Sequence, residues 1–215
     1  IKNILINLFL YIYFNSLNKF PLYNTSNGLG NDFVYSILQL NNKNILIGTE
    51  NGLYSLNPIT NEVSDYNLLL KKHQIFTVLS LLEDTQGRIW IGSYGQGIIV
   101  YDPKTRKEIK LLSENNKIGT ILELIQDSNG TVWAGTFEAG LFAINPNTYQ
   151  VKRYGTSNGL TSNGINCIYE DKENKTLMLG TDGGGVCILN FITSIDKPLV
   201  TSFKHIDNKN SISSN

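Results

Sequence analysis

Charged residues are scarce in this 215-residue chain, and neither sign is in excess. The 18 basic and 18 acidic side chains cancel, and charged residues make up 17% of the sequence, whereas soluble domains usually have about a quarter. With zero net charge, the chain lacks the overall attraction that nucleic-acid binding requires, which also argues against an anionic membrane surface as its main partner. We therefore expect no nucleic acid to bind through this segment.

Cysteine and histidine are also rare, which limits the chemistry that the chain can carry. Two cysteines are too few for a disulfide framework. The two histidines, His73 and His205, have no second His or Cys at the spacing of zinc ligands. No G-x-S-x-G, P-loop or other nucleophile motif is present. The sequence thus predicts no cofactor, no metal site and no catalytic residue.

The apolar run near the start of the chain is too short to span a membrane. Residues 4–14 follow Lys2, and a helix of that length, at about 1.5 Å per residue, falls short of a hydrocarbon core about 30 Å thick. The run suits the hydrophobic region of a signal peptide, although Asn15-Ser16-Leu17 is a poor cleavage site. We predict that residues 1–20 are a leader-like segment and that the chain is exported. A β-strand from a preceding repeat is the alternative.

A repeat runs through the rest of the chain. Its most regular member is a glycine, and the successive steps are 44, 43 and 45 residues between Gly48, Gly92, Gly135 and Gly180. Two residues before each glycine stands an apolar side chain, namely Leu46, Trp90, Trp133 and Met178. A turn aspartate precedes the last three of these glycines, at Asp84, Asp127 and Asp171. So many matching positions at one period indicate a structural repeat.

Each repeat predicts four short strands. In the third repeat, strand-like runs cover residues 121–126, 131–136, 140–145 and 151–154, with turn residues between them. No stretch has the 3.6-residue apolar period of a helical solenoid. A four-stranded meander repeated at this period is typical of a propeller blade. The predicted fold class is therefore all-β, a β-propeller of four-stranded antiparallel blades.

Four complete blades are predicted. The predicted boundaries are 1–20 for the leader-like segment, 21–66, 67–112, 113–154 and 155–205 for the blades, and 206–215 for the loop leading into a next blade. Residues 206–215 match the loops that lead into earlier blades, and propellers usually have about four to eight blades. We therefore predict a piece of a larger ring of about seven blades. A closed four-bladed ring is the alternative.

Cys167 and Cys187 fall in the first and third strands of the fourth predicted blade. Two strand spacings of about 4.8 Å each exceed the Cα separation that a disulfide allows, about 7 Å at most. The sequence therefore predicts two buried free thiols.

The repeat resembles the two-component regulator propeller repeat. The residues that carry the resemblance are Asn158-Gly159-Leu160, Glu83-Asp84, Gly87, Trp90-Ile91-Gly92, Trp133-Ala134-Gly135-Thr136, Gly140-Leu141 and Asn145-Pro146. In that family, such repeats build the extracytoplasmic sensor region of hybrid two-component sensor histidine kinases, and many members sense oligosaccharides. The resemblance implies a homodimeric membrane protein whose sensor faces the periplasm at the inner membrane. It also implies a kinase domain outside these residues.

Residues that recur at one blade position are expected to serve the blade, whereas residues unique to one blade are candidates for ligand binding. By that test Trp90 and Trp133 are packing residues, and the pairs beginning at Glu83, Gln126 and Glu170 are turn residues rather than general acids or bases. Aromatic, amide and carboxylate groups are the ones that recognise sugars. The candidate ligand-binding residues are Tyr94, Gln96, Phe137, Glu138 and Asp182 in turns, and Glu123 on an innermost strand.

These observations favour a ligand-sensing module without enzyme activity. Its expected partners are a small oligosaccharide or another periplasmic ligand, the remaining blades and domains of the same chain, and a second copy. A secreted binding or scaffold propeller without a kinase is one alternative. A propeller lyase or hydrolase is the other, and it would need clustered acids or histidines converging on the axis, for which Glu123 alone is a candidate.

Overall fold

The computed structural model describes residues 21–69, 76–112, 119–191 and 198–204. His73, His205, the leader-like segment 1–20 and the loop 206–215 lie outside these ranges. Within them, no helix is both long enough and apolar enough to cross a membrane.

Within the described ranges, sixteen strands form four antiparallel sheets, each with its four strands in chain order. Blade 1 comprises β1 (Val34–Gln39), β2 (Ile45–Thr49), β3 (Gly52–Asn57) and β4 (Glu62–Asp65), and blade 2 comprises β5 (Val78–Glu83), β6 (Ile89–Ser93), β7 (Ile98–Asp102) and β8 (Lys107–Leu111). Blade 3 comprises β9 (Ile121–Gln126), β10 (Val132–Thr136), β11 (Leu141–Ile144) and β12 (Val151–Tyr154), and blade 4 comprises β13 (Ile165–Asp171), β14 (Thr176–Thr181), β15 (Gly185–Asn190) and β16 (Leu199–Phe203). The all-β prediction is confirmed, and the strands predicted in the third repeat agree with β9 to β12 within one residue at each end.

Aspartate and glycine shape the turn between the first and second strands of blade 3. Asp127 Oδ1 accepts hydrogen bonds from the amides of Asn129 and Thr131, at 3.0 and 2.8 Å, and Gly130 has a φ of +85°. Lys43 occupies the glycine position in blade 1, with a φ of +76°. Because Cβ disfavours the left-handed region, the blade 1 turn carries strain that the blade 3 turn avoids.

The repeating glycine lets neighbouring blades approach each other closely. A Cβ atom on Gly92 would lie 2.8 Å from Cγ2 of Ile121, the first residue of the next inner strand. The same contact recurs between the other blades, at Gly48 with Val78 and at Gly135 with Ile165. A side chain at these positions would push the blades apart. The period of the sequence therefore reflects the contact from blade to blade.

Among the described residues, the four blades form an arc that is open at both ends. The inner strands pack in order, β1 on β5, β5 on β9 and β9 on β13. Val34 of β1 is 39% exposed, whereas its counterpart Val78 in blade 2 is 0% exposed because blade 1 covers it. The fold is thus a partial propeller.

Cys167 corrects one sequence prediction. Both cysteines are free, and Cys187 is buried as predicted, but Cys167 is exposed. The Sγ atom of Cys167 lies over Gly180. Ser80 holds the equivalent position in blade 2, where it is buried between blades 2 and 3. The prediction of burial is wrong because the outer side of blade 4 has no neighbour among the described residues.

Candidate functional site

Loops that lead into the inner strands lie beside the turns between the second and third strands. The Tyr94 amide donates to the Thr77 carbonyl at 3.0 Å, and the Phe137 amide donates to the Thr120 carbonyl at 3.0 Å. The same bond joins Glu50 to Phe33 and Asp182 to Gly164. We call this end of the arc the upper face. It comprises residues 24–33, 50–51, 76–77, 94–97, 119–120, 137–140, 155–164 and 182–184.

Hydrogen bonds also connect the upper face from one blade to the next. They run from the Gly52 amide to the Phe76 carbonyl at 2.5 Å, from the Gly95 amide to Thr120 Oγ1 at 3.3 Å, and from the Gly140 amide to the Asn163 carbonyl at 2.8 Å. The turns are thereby fixed relative to one another. The backbone that carries the side chains of these turns is positioned before a ligand arrives, which lowers the entropic cost of binding.

Gly164 marks the point where the turns of blades 3 and 4 converge. A Cβ atom on Gly164 would lie 2.7 Å from Cβ of Asp182 and 2.9 Å from the carbonyl oxygen of Phe137. These distances leave no room for a side chain. Two of the predicted site residues are therefore brought next to each other through this glycine.

Four exposed aromatic side chains lie on the upper face. Tyr94 and Phe137, both predicted, are 66% and 56% exposed, and Phe33 and Phe76 are 66% and 51% exposed. The sequence reasoning missed the last two. Their counterparts in the other blades are Thr77, Thr120 and Gly164 for Phe33, and Asp32, Gly119 and Asn163 for Phe76. The test of uniqueness, applied to the leading loops as well as the turns, would have found both.

The polar candidates occupy different environments. Gln96 Oε1 accepts a hydrogen bond from the Phe76 amide at 3.3 Å, which holds Gln96 beside an exposed ring. Glu138 and Asp182 are exposed on the upper face. Glu123 is half-buried on β9, opposite Gly135 in the β10 register. The structure therefore brings five of the six candidates onto the upper face and leaves Glu123 on an inner strand.

This arrangement can stack on an apolar ring face and accept hydrogen bonds from hydroxyl groups. Flat aromatic surfaces supply contact area at low entropic cost, and a few polar groups orient the ligand. Within the described ranges, no three His, Cys, Asp or Glu side chains are grouped so as to hold a metal ion.

The repeating aspartates and tryptophans lie at the opposite end of the blades, which we call the lower face (the turns between first and second and between third and fourth strands). Asp84 Oδ2 accepts from Trp90 Nε1 at 2.8 Å, and Asp127 Oδ2 accepts from Trp133 Nε1 at 2.8 Å. Both indoles are buried. Each carboxylate thus ties its own turn to the buried tryptophan of its blade.

The residue before each aspartate reaches back to the preceding blade, a role that sequence reasoning missed. The backbone amides of Asn41, Thr85 and Ser128 donate to Glu83 Oε2, Gln126 Oε1 and Glu170 Oε1, at 2.7, 2.8 and 2.8 Å. Each side chain therefore joins two blades. The recurrence of Glu or Gln at this position is the signal that could have revealed it.

Comparisons with known proteins agree with this fold. The model of a family described as a domain of unknown function (DUF5074) matches residues 15–197. The extracellular domain of BT4673 from B. thetaiotaomicron, described as a candidate one-component or hybrid two-component system, is 30–32% identical, with TM-scores of 0.63–0.64. These matches cover 77–78% of this chain and 22% of that one.

A second solved structure shows the fold alone. The extracellular domain of BT3049 from B. thetaiotaomicron, a candidate hybrid two-component system, is 19% identical with a TM-score of 0.74. The match covers 93% of this chain and 26% of that one. This chain thus spans about a quarter or less of the length of these structures. No curated protein gives a significant match.

Proposed function

Since this chain belongs to the DUF5074 family of domains of unknown function, and resembles extracellular domains of sensor systems, we propose that it is part of the sensor region of a membrane-bound two-component system. The sensor region faces the periplasm, and the histidine kinase that it controls lies outside these residues. The ligand is a small oligosaccharide. The segment itself carries out no reaction.

The arc of exposed aromatics on the upper face is the observation that carries the oligosaccharide proposal. Phe33, Phe76, Tyr94 and Phe137 stand on turns that are hydrogen-bonded from blade to blade. Exposed apolar groups gathered at one end of a protein often mark a recognition site, and sugars present apolar faces ringed by hydroxyl groups. Gln96, Glu138 and Asp182 supply acceptors for those hydroxyls, and Glu123 is a candidate for a contact nearer the axis.

The signal is transmitted by a shift between arrangements of the sensor. A ligand that binds one arrangement more tightly raises the population of that arrangement, by no more than the ratio of its two affinities. Further blades of the same polypeptide contact the open faces at Val34 and Gly180. The described blades are joined where the residue equivalent to Val34 packs against the glycine equivalent to Gly180, so both partners of this contact are available at the two open faces.

Calorimetric titration of the full chain with a panel of neutral and acidic oligosaccharides tests this function. We expect Tyr94→Ala and Phe137→Ala each to weaken binding about tenfold, because a stacked ring contributes about 1–1.5 kcal/mol. The matched control is Ile59→Ala, an 80% exposed apolar side chain in the β3–β4 turn of the lower face. Unchanged affinity in both aromatic variants would rule out the upper face. Binding by no oligosaccharide would reject the ligand class, and turnover of one would favour an enzyme.

A further inference from the structure

The outer strand of blade 4 differs from the other three outer strands in charge. One position of the outer strand shows the difference. In each blade the repeating glycine pairs with a residue of the third strand, and the next residue of the third strand pairs with this outer-strand position. The four residues at this position are Asp65, Lys110, Arg153 and Ser202. At the first position of β16 stands Leu199, where β4 has Glu62 and β8 has Lys107. Among these strands, β16 alone has no charged residue.

Charges on an edge strand usually prevent it from pairing with another edge. Among the described residues, β16 is the outermost strand of its sheet and is hydrogen-bonded to β15 on one side. Leu199 is 68% exposed, and Thr201 and Ser202 are also exposed. Val200 is partly buried against the apolar core of blade 4 and fixes the orientation of the strand. The edge of β16 is therefore free of the protection that the other blades carry.

We propose that β16 pairs with β16 of a second copy of this chain, antiparallel and about a two-fold axis through Thr201. In this register Leu199 faces Phe203, Val200 faces Ser202, and Thr201 faces itself, so no like charges are opposed. The same pairing in β12, about an axis through the equivalent residue Lys152, would place that lysine directly opposite its own copy. Like charges directly opposite each other are destabilising.

The flanks of β16 limit the pairing to its own five residues. Pro198 precedes the strand and has no amide hydrogen to donate, and the exposed Lys204 follows it. An edge this short buries less surface than the roughly 1,200 Å² of a stable interface. The association is therefore weak, and it becomes significant where copies are held close together, as at a membrane. The pairing does not depend on what the upper face binds.

Cross-linking in the full-length polypeptide tests the register. Thr201→Cys, made in a Cys167→Ser background to remove the exposed native thiol, places two thiols opposite each other across the axis. The matched control is Ser64→Cys, the equivalent exposed position of β4. With a short bismaleimide, we expect several-fold more covalent dimer from Thr201→Cys than from Ser64→Cys. Equal yields from the two variants, or no dimer from Thr201→Cys, would overturn the proposal.

Sedimentation velocity provides a second readout that does not require cross-linking. Ser202→Lys restores the charge that the other outer strands carry, and Asp65 marks the equivalent position in β4. We expect Ser202→Lys to shift the concentration-dependent dimer towards monomer, whereas Asp65→Lys leaves it unchanged. A full chain that stays monomeric at every concentration, or an equal shift in both variants, would contradict the pairing. Because neither substitution touches the upper face, oligosaccharide binding by both variants is scored separately.

Discussion

Replacing Asp127 with asparagine should reveal how much the hydrogen bond between Asp127 and Trp133 on the lower face contributes to stability. Oδ1 accepts from the amides of Asn129 and Thr131, and the amide oxygen of asparagine can take over both bonds. Oδ2 accepts from Trp133 Nε1 at 2.8 Å, and there asparagine presents an NH2 group to another donor. Trp133 is 1% exposed, so its indole N–H has little access to water. We expect Asp127→Asn to cost about 1–3 kcal/mol of unfolding free energy, the usual cost of an unsatisfied buried donor.

Blade 4 offers a matched control in which no indole is present. Met178 stands at the tryptophan position, and Asp171 Oδ2 instead accepts from Nδ2 of Asn174 at 2.7 Å. Asn174 is exposed, so water can replace this bond. Asp171→Asn should therefore leave the urea midpoint of the full chain almost unchanged, while Asp127→Asn lowers it.

A double-mutant cycle with Trp133→Phe separates the contribution of the Asp127–Trp133 hydrogen bond from general damage to the turn. Phenylalanine removes the indole N–H, so Asp127→Asn should cost less in this background, with a coupling energy of about 1–2 kcal/mol. Additive effects within about 0.5 kcal/mol, or equal losses in Asp127→Asn and Asp171→Asn, would refute the assignment of this bond.

Two further predictions concern a strained turn and a partly buried phenol. Lys43→Gly should raise the unfolding free energy by about 0.5–1 kcal/mol in urea titration, because glycine tolerates the +76° φ at that position, and a fall in stability would count against strain there. Burial raises the pKa of Tyr66 to about 12, and the neighbouring Tyr101 and Glu83 add to the effect. The neutral phenol therefore stabilises the fold fully below about pH 10, and this contribution is lost as the pH rises towards about 12. Absorbance titration at alkaline pH should show a late ionisation step that Tyr66→Phe removes, and its persistence in that variant would assign the step elsewhere.

The strands and the blade count were predictable because they depend on local patterns that repeat. Apolar runs, turn residues and the glycine period each occur several times, so a single irregular unit, such as the one with Lys43 in its turn, does not obscure the pattern. Contacts between blades were less accessible to sequence reasoning. The bond from the Thr85 amide to Gln126 joins residues 41 positions apart, and nothing in either segment alone indicates the other.

The error at Cys167 has a different origin. The sequence reasoning treated equivalent positions as equally buried, which holds for blades that have a neighbour on both sides. Val34 and Cys167 belong to the two end blades and face outwards from the arc. Burial in a repeat protein depends on the neighbouring unit as well as on the residue, so the end units depart from the rule that the middle units obey.

The two faces of the blades also differ in how far their residues vary, and this difference separates scaffold from candidate site. On the lower face, the same hydrogen bond from a tryptophan indole to an aspartate carboxylate recurs in blades 2 and 3, at Asp84 and Asp127. On the upper face the recurring bonds are those of the backbone, such as those of Tyr94 and Phe137, and those of the hydroxyl group that ends each second strand, such as Ser93 and Thr136. The exposed side chains of the turns differ from blade to blade. Because the exposed side chains take no part in these recurring bonds, they are free to vary without loss of the fold. A scaffold of this kind can accept substitutions on the upper face and keep its stability.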